Sequence, residues 1–139
     1  MFDNLSPIVD VSDNFDKLLI PKNHPARSKS DTYYITDEKV LRTQISAHQN
    51  ELLEKGYKSF LVTGDVYRKD EINTTHYPIF HQMELLTLIE DDIDPEKELK
   101  NLLSGLVEYL FPNCKYKYND DYFPFTNPSY EIEVEYNGK

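Results

Sequence analysis

Cysteine is nearly absent: the 139-residue chain has one, Cys114. A single thiol excludes an intramolecular disulfide, and with only His24, His48, His76 and His81 beside it there is no structural-zinc spacing. A reducing compartment is the expectation. Tryptophan is missing, and no run reaches the about 18 apolar residues that cross a bilayer, so no membrane span is expected. Positive charge is scarce. With 15 Lys and Arg against 25 Asp and Glu, the net charge of −10 removes counterion release from nucleic-acid phosphates as a general driving force. Any RNA-binding basic surface must be local or lie elsewhere. Met1 to Asp16 contains no Lys or Arg, the opposite of an Arg-rich transit peptide, so a chain without a targeting signal is expected.

What is present is aromatic and patterned. The 11 Tyr and 7 Phe, in a chain that is 39% hydrophobic, are too many and too ordered for a disordered protein. The length suits one domain with a modest core. Residues 1–30, punctuated by Pro7, Pro21 and Pro25, read as extended wrapping around the run Leu18, Leu19, Ile20. Asp31 to Ile35 predicts a short strand, and Val40 to Ile45 an ordered stretch before a helix. Ser46 with Gln49 three residues on is a capping-box pattern, and Gly56 is the expected C-terminal stop. Ser59–Thr63, Val66–Arg68 and the longer Ile79–Ile89 read as strands. Asp94 as N-cap, Pro95 at the first helical position and leucines three and four apart predict a helix of about 16 residues, ending before Pro112. A Tyr-rich strand around Lys115–Tyr118 and a half-buried one over Tyr130–Tyr136 follow. Asn137-Gly138 is a strong hairpin-turn signal with no second strand behind it, which suggests a chain cut through a hairpin. A frayed, solvated tail is the bland alternative.

The most informative stretch is Gly64 to Glu84, GDVYRKDEINTTHYPIFHQME. It sets Arg68, Asp70, His76, Gln82 and Glu84 around a loop joining two strand patterns. An Arg and a His flanking a loop can hold phosphate oxygens, while Gln82 and Glu84, two apart on one strand, share a face and can jointly accept an ammonium group. Charges at such a turn are more often simply solvated.

This stretch resembles motif 2 of the class II aminoacyl-tRNA synthetases in its phenylalanyl-tRNA synthetase form. Three further blocks in family order carry the likeness: Asn23-His24-Pro25-Ala26-Arg27; Leu41-Arg42-Thr43 leading to Ser46-Ala47-His48-Gln49; and Phe123-Pro124-Phe125-Thr126-Asn127-Pro128-Ser129. The opening Pro7 to Pro21 is most similar to the single-chain mitochondrial branch. The resemblance implies an α+β fold built on the antiparallel sheet of the class II catalytic core, with residues 1–139 forming an incomplete domain and motif 2 at 64–84. It implies a ligase that uses ATP and Mg2+, with no protein metal site. The reaction would form phenylalanyl-adenylate and transfer the acyl group to phenylalanine tRNA, the tRNA being bound only with a C-terminal region beyond this chain. It further implies a monomer in the mitochondrial matrix, or in the cytoplasm if the chain begins at Met1 without a presequence.

By that resemblance Arg68 is the catalytic residue, holding the α-phosphate and the amino-acid carboxylate. Asp70, His76 and Phe80 complete the ATP site, with Phe80 stacking on adenine. Ser46, Gln49, Gln82 and Glu84 bind the substrate ammonium, and Phe123 and Phe125 pack edge-on against its phenyl ring. On the residues alone, Phe123 and Phe125 would more often be plain core, Asp70 a loop carboxylate paired with Arg68 or Lys69, and Ser46 only a helix cap. Two positions depart from the family pattern: Gln44 stands where the family has a substrate-pocket histidine, and Leu85 where it has a glycine. Both are expected in the substrate region. They favour the alternative reading, a degenerate noncatalytic relative that binds an amino acid, a nucleotide or a partner protein. The 139-residue chain alone is expected to be inactive.

Overall fold

The computed structural model describes residues 1–136 and Gly138, and the hairpin turn expected at Asn137-Gly138 lies outside the described residues. The chain divides into two compact units, Met1–Leu88 and Ile89–Lys139. Among the described residues the strands form three antiparallel pairs, which with the helices make a mixed α+β fold.

In the first unit, β1 (Ile8–Asp10) pairs with β2 (Lys39–Leu41), and β3 (Ser59–Tyr67) pairs along its whole length with β4 (Ile79–Thr87). Between β2 and β3 run a 3-10 turn, Ile45–His48, and the short helix α2 (Gln49–Glu54). The two strand patterns expected over Ser59–Thr63 and Val66–Arg68 are one strand, because Gly64 and Asp65 remain in the ladder opposite Gln82 and His81. Directly paired residues of an antiparallel ladder share a face. One face of β3–β4 therefore carries buried Phe60, Val62, Gly64 and Val66 beside half-buried Phe80, Gln82, Glu84 and Leu86. Ile45, Leu52, Phe60, Val62 and Val66 form the core under it.

Three expectations are corrected. Residues 1–30 are more than wrapping: Phe15 and Leu18 are almost fully buried, and Phe2 bridges to Val62 through backbone bonds from Phe2 N–H to the Leu61 carbonyl and from Thr63 N–H to the Phe2 carbonyl. A four-residue helix α1 (Val11–Asn14) lies in this segment. Asp31–Ile35 is not a strand. Only Tyr34 bridges, to Val40, because the chain folds back at once: the Ile35 and Thr36 N–H groups donate to the Lys39 carbonyl. Ser46 and Gln49 make no capping box, since the turn begins at Gln44 without a side-chain cap and both side chains reach β4 instead. Gly56 does end α2, with φ +87° and its N–H on the Leu53 carbonyl.

In the second unit, α3 (Pro95–Leu110) has the expected length and cap, with Asp94 Oδ1 accepting from the N–H groups of Glu96 and Lys97. Strands β5 (Tyr116–Asp121) and β6 (Ser129–Val134) form a hairpin. Polar ties join it to α3: Tyr118 Oη donates to the Lys100 carbonyl at 2.8 Å and pairs with Ser104 Oγ at 2.9 Å, and Lys100 Nζ stands 4.1 Å from the centre of the Tyr130 ring.

Gly64 is a packing requirement. Any Cβ there would collide with Nη2 of Arg42, whose guanidinium fills the space the glycine leaves. Gly64→Ala should cost about 1–3 kcal/mol, the usual cost of overpacking a tight interior. Urea unfolding measures this directly, and an unchanged midpoint would mean that Arg42 can move aside freely.

Candidate functional site

Arg42 is the frame of the site. It is 4% exposed, and its Nε donates to the Asp65 carbonyl at 2.8 Å. Nη1 reaches the Leu5 carbonyl at 3.2 Å and His48 Nε2 at 2.9 Å. One side chain thus ties the N-terminal segment, β3 and the 3-10 turn together. His48 accepts there as a neutral imidazole, because burial and then the Arg42 charge hold its pKa below the ordinary value, with Glu51 opposing.

That turn delivers polar groups to β4. The Ile45 N–H donates to Gln82 Oε1 at 3.2 Å. Ser46 Oγ donates to Glu84 Oε2, and Gln49 Nε2 donates to Glu84 Oε1 at 2.8 Å. The four residues expected to hold an ammonium group therefore converge, and the alternative of Ser46 as a mere cap falls. Among the described residues no Lys, Arg or His forms an ion pair with Glu84. Its two donors are neutral. An ionised carboxylate has about four acceptor positions, so two occupied ones leave room for a cation.

Arg68, just past β3, begins the loop to β4. Its Nε donates to the Thr43 carbonyl at 3.0 Å, and its Cζ stands 5.2 Å from the centre of the Phe80 ring. Arg68, Asp70, His76 and Phe80 line one cavity of about 420 Å³ with Asn73 and Tyr77, so the four residues expected at the ATP site are brought together. Asn73 Oδ1 organises the loop, accepting from the N–H groups of Thr75 at 2.8 Å and His76 at 2.9 Å. Asp70 forms no ion pair with Arg68 or Lys69 among the described residues; Lys69 Nζ instead donates to the Lys29 carbonyl.

Phe123 and Phe125 lie in the second unit, in the loop joining β5 to β6, their ring centres 6.4 Å apart and their planes inclined at 43°. Phe123 is 44% exposed, so it is not plain core. Buried Ser129 holds this loop, its Oγ accepting from the Phe123 N–H at 3.3 Å and pairing with Thr126 Oγ1 at 2.5 Å. The two departures from the family pattern also resolve. Leu85 is on the opposite face of β4 from Glu84, paired across to Leu61, which corrects its expected place in the substrate region: strand alternation turns its bulk away. Gln44 Nε2 donates to the Asn14 carbonyl at 3.3 Å.

Sequence reasoning passed over Arg42, Asn14, Thr43 and Ser129. Arg42 and Thr43 stood in a block that carried the resemblance, without a role. Ser129 likewise closed the Phe123–Ser129 block without a role, its partners lying three and six residues before it, whereas Asn14 had no local signal, since its Thr43 partner is brought near only by folding.

The fold is that of the class II synthetase catalytic core: a pyrrolysyl-tRNA synthetase from Desulfitobacterium hafniense superposes with a TM-score of 0.71 at 17% identity, over 99% of this chain and 50% of that one. More specifically, the chain belongs to the family of tRNA synthetases class II core domain (F), whose model matches residues 4–139. Relatives include the chloroplastic/mitochondrial phenylalanine-tRNA ligase of Arabidopsis thaliana, 48% identical over 96% of this chain and 33% of that protein. The mitochondrial phenylalanine-tRNA ligase of Rattus norvegicus is 39% identical over 100% of this chain and 37% of its own length. The phenylalanine-tRNA ligase alpha subunit of one Prochlorococcus marinus strain is 39% identical over 91% of this chain and 36% of its own. The chain thus spans about a third of the length of these curated relatives.

The buried His48 makes the frame acid-sensitive. An unfolded His titrates near pH 6.5, above the folded value, so protons bind the unfolded state more tightly. Stability from this group is complete above about pH 6.5 and declines as the pH falls below it toward the folded pKa. Glu51, whose pKa the Lys55 bond lowers, stays ionised through that window. Urea midpoints at pH 7.5 and 5.5 should differ, and His48→Gln, which keeps an acceptor for Arg42, should narrow the difference.

Proposed function

We propose that the chain contributes the adenylate-forming half-site of a phenylalanine-tRNA ligase, with residues 1–139 as part of one class II catalytic domain and motif 2 at residues 64–84. The observation that carries this reading is Glu84: a half-buried carboxylate gripped by Ser46 and Gln49, without a cationic partner among the described residues, on the same β4 face as Gln82 and Phe80. A carboxylate oriented by neutral donors and not paired with a cation favours an ammonium group. On that face, Phe80 also borders the cavity of Arg68 and His76.

In this reading the substrate ammonium binds Glu84 and Gln82, and its carboxylate points toward Arg68. The carboxylate oxygen attacks the α-phosphorus of ATP in line, and pyrophosphate leaves. The Arg68 guanidinium spreads the charge that gathers on the phosphoryl oxygens, a task its planar fork suits better than a lysine ammonium. His76 binds the distal phosphates and Phe80 stacks on adenine with Asp70 nearby; for Phe123 and Phe125, selection of an aromatic ring is proposed from the family resemblance alone. Magnesium is expected with ATP; among the described residues no three His, Cys, Asp or Glu side chains gather as a metal site, so no protein ligand set or metal-dependent step is assigned. Acyl transfer to phenylalanine tRNA is proposed for the whole natural protein. The names of the mitochondrial relatives support a mitochondrial location, read as the matrix, over the cytoplasm, and the single-chain branch suggests a monomer. The noncatalytic alternative loses Leu85 as a support, since that side chain points away from Glu84.

In the natural gene product, Arg68→Ala should lower the rate of phenylalanine-dependent pyrophosphate–ATP exchange by about two to three orders of magnitude with the fold intact. An unchanged rate would remove Arg68 from the mechanism. Glu84→Gln should instead act mainly on the KM for phenylalanine, raising it at least about tenfold, in line with loss of a charge-assisted bond.

A further inference from the structure

Asn14 ends α1 and is completely buried, although nothing so far gives it a task. A buried primary amide is costly unless its polar atoms are matched. Three of its hydrogen bonds run to one segment. Its Oδ1 accepts from the Thr43 N–H at 2.9 Å, its Nδ2 donates to Thr43 Oγ1 at 2.9 Å, and its own carbonyl accepts from Gln44 Nε2 at 3.3 Å.

Thr43, 6% exposed, faces two ways. Asn14 holds its N–H and hydroxyl, and its carbonyl receives Arg68 Nε at 3.0 Å. Asn14 thus anchors Thr43 before its carbonyl and, through the Gln44 side chain on its own carbonyl, the residue after it, so the peptide that presents the Thr43 carbonyl to Arg68 is bounded on both sides. A guanidinium is planar, so once Nε is committed the plane is constrained and the Nη groups remain for a ligand. Phe80, 5.2 Å from Cζ, bounds the same group from the ring side. The neighbouring residue reinforces the join, because the Tyr67 N–H donates to the Arg42 carbonyl at 2.9 Å and so ties the end of β3 to this segment.

We propose that Asn14 is a positioning residue for adenylate formation, orienting the Arg68 guanidinium through Thr43. The inference rests on the role given to Arg68 above. Holding a charge-stabilising donor in place before reaction matters most in the transition state, so the loss should appear in kcat and scarcely in the KM for ATP. A purely structural asparagine would lower stability and the fraction of active protein, with kcat per active site unchanged.

The test uses the natural gene product with Asn14→Ala, Thr43→Val and Thr43→Ser, the last retaining the hydroxyl. Solvent exchange of the Arg68 Nε–H is followed by 15N NMR, its signal assigned by its loss in Arg68→Ala. Pyrophosphate–ATP exchange is measured per active site. In Asn14→Ala the Nε–H should exchange at least about tenfold faster and kcat should fall about tenfold to a hundredfold, with the KM for ATP within about twofold. Thr43→Val should shift both in the same direction, and Thr43→Ser should restore them. If Asn14→Ala does not fold, the Thr43 pair decides. Unchanged Nε–H protection, or an unchanged kcat, while Arg68→Ala remains impaired overturns this inference alone. An active Arg68→Ala protein overturns the assigned role of Arg68 and the inference with it.

Discussion

The first unit depends on one guanidinium in a glycine-sized space. Arg42 has no carboxylate partner among the described residues; its Nε and Nη1 donate to the Asp65 and Leu5 carbonyls and the His48 ring. A buried cation met by neutral acceptors is held by direction more than by net charge, and each acceptor belongs to a different segment. The space exists only because residue 64 has no Cβ. Removing any one partner leaves a buried charge underpaired, so the N-terminal segment, β3 and the 3-10 turn are coupled. The turn carries Ser46 and leads into Gln49, so the grip on Glu84 inherits that coupling.

The parts legible in the sequence were those whose causes are local. Alternation along Ile79–Ile89 placed Gln82 and Glu84 on one face, and Asp94, Pro95 and Gly56 marked helix ends through backbone bonds within a few residues. The errors share a different cause. Ser46 and Gln49, three apart, fit a capping box equally well as a two-point grip on a carboxylate, and only folding brings Glu84 within reach. Asp31–Ile35 has strand composition, but a strand needs a partner over its length, and the turn back to Lys39 leaves one bridge. Residues 1–30 looked peripheral because prolines interrupt their periodicity, yet burial of Phe15 and Leu18 requires no periodicity. The candidate ATP and ammonium residues came from a family resemblance, and the local chemistry alone supported them only weakly.

Net charge is a poor guide to this site. The chain carries −10 overall, while the cavity proposed for the anion is lined by Arg68 and His76 with one carboxylate, Asp70. At physiological ionic strength exposed charges beyond about 8 Å are largely screened, so distant acidic residues do little to a phosphate seated there. The acidic surface bears instead on long-range encounter with any nucleic acid, which a net charge of this sign does not favour.

The division between neutral and charged partners is the chemical logic of the site. Had a lysine or arginine paired with Glu84, its carboxylate would be as well positioned but electrically spent, and a ligand ammonium would have to displace that cation. Ser46 and Gln49 orient both oxygens without cancelling the charge. Arg68 has the complementary arrangement: a backbone carbonyl and an aromatic face fix its plane, and neither carries the full negative charge that would compete with phosphate. Each group is oriented by partners that leave its charge available, one for a cation and the other for an anion. A zwitterionic amino acid meeting a nucleotide phosphate presents that pair of charges, which is why the two clusters are better read as one substrate track than as separate surface features.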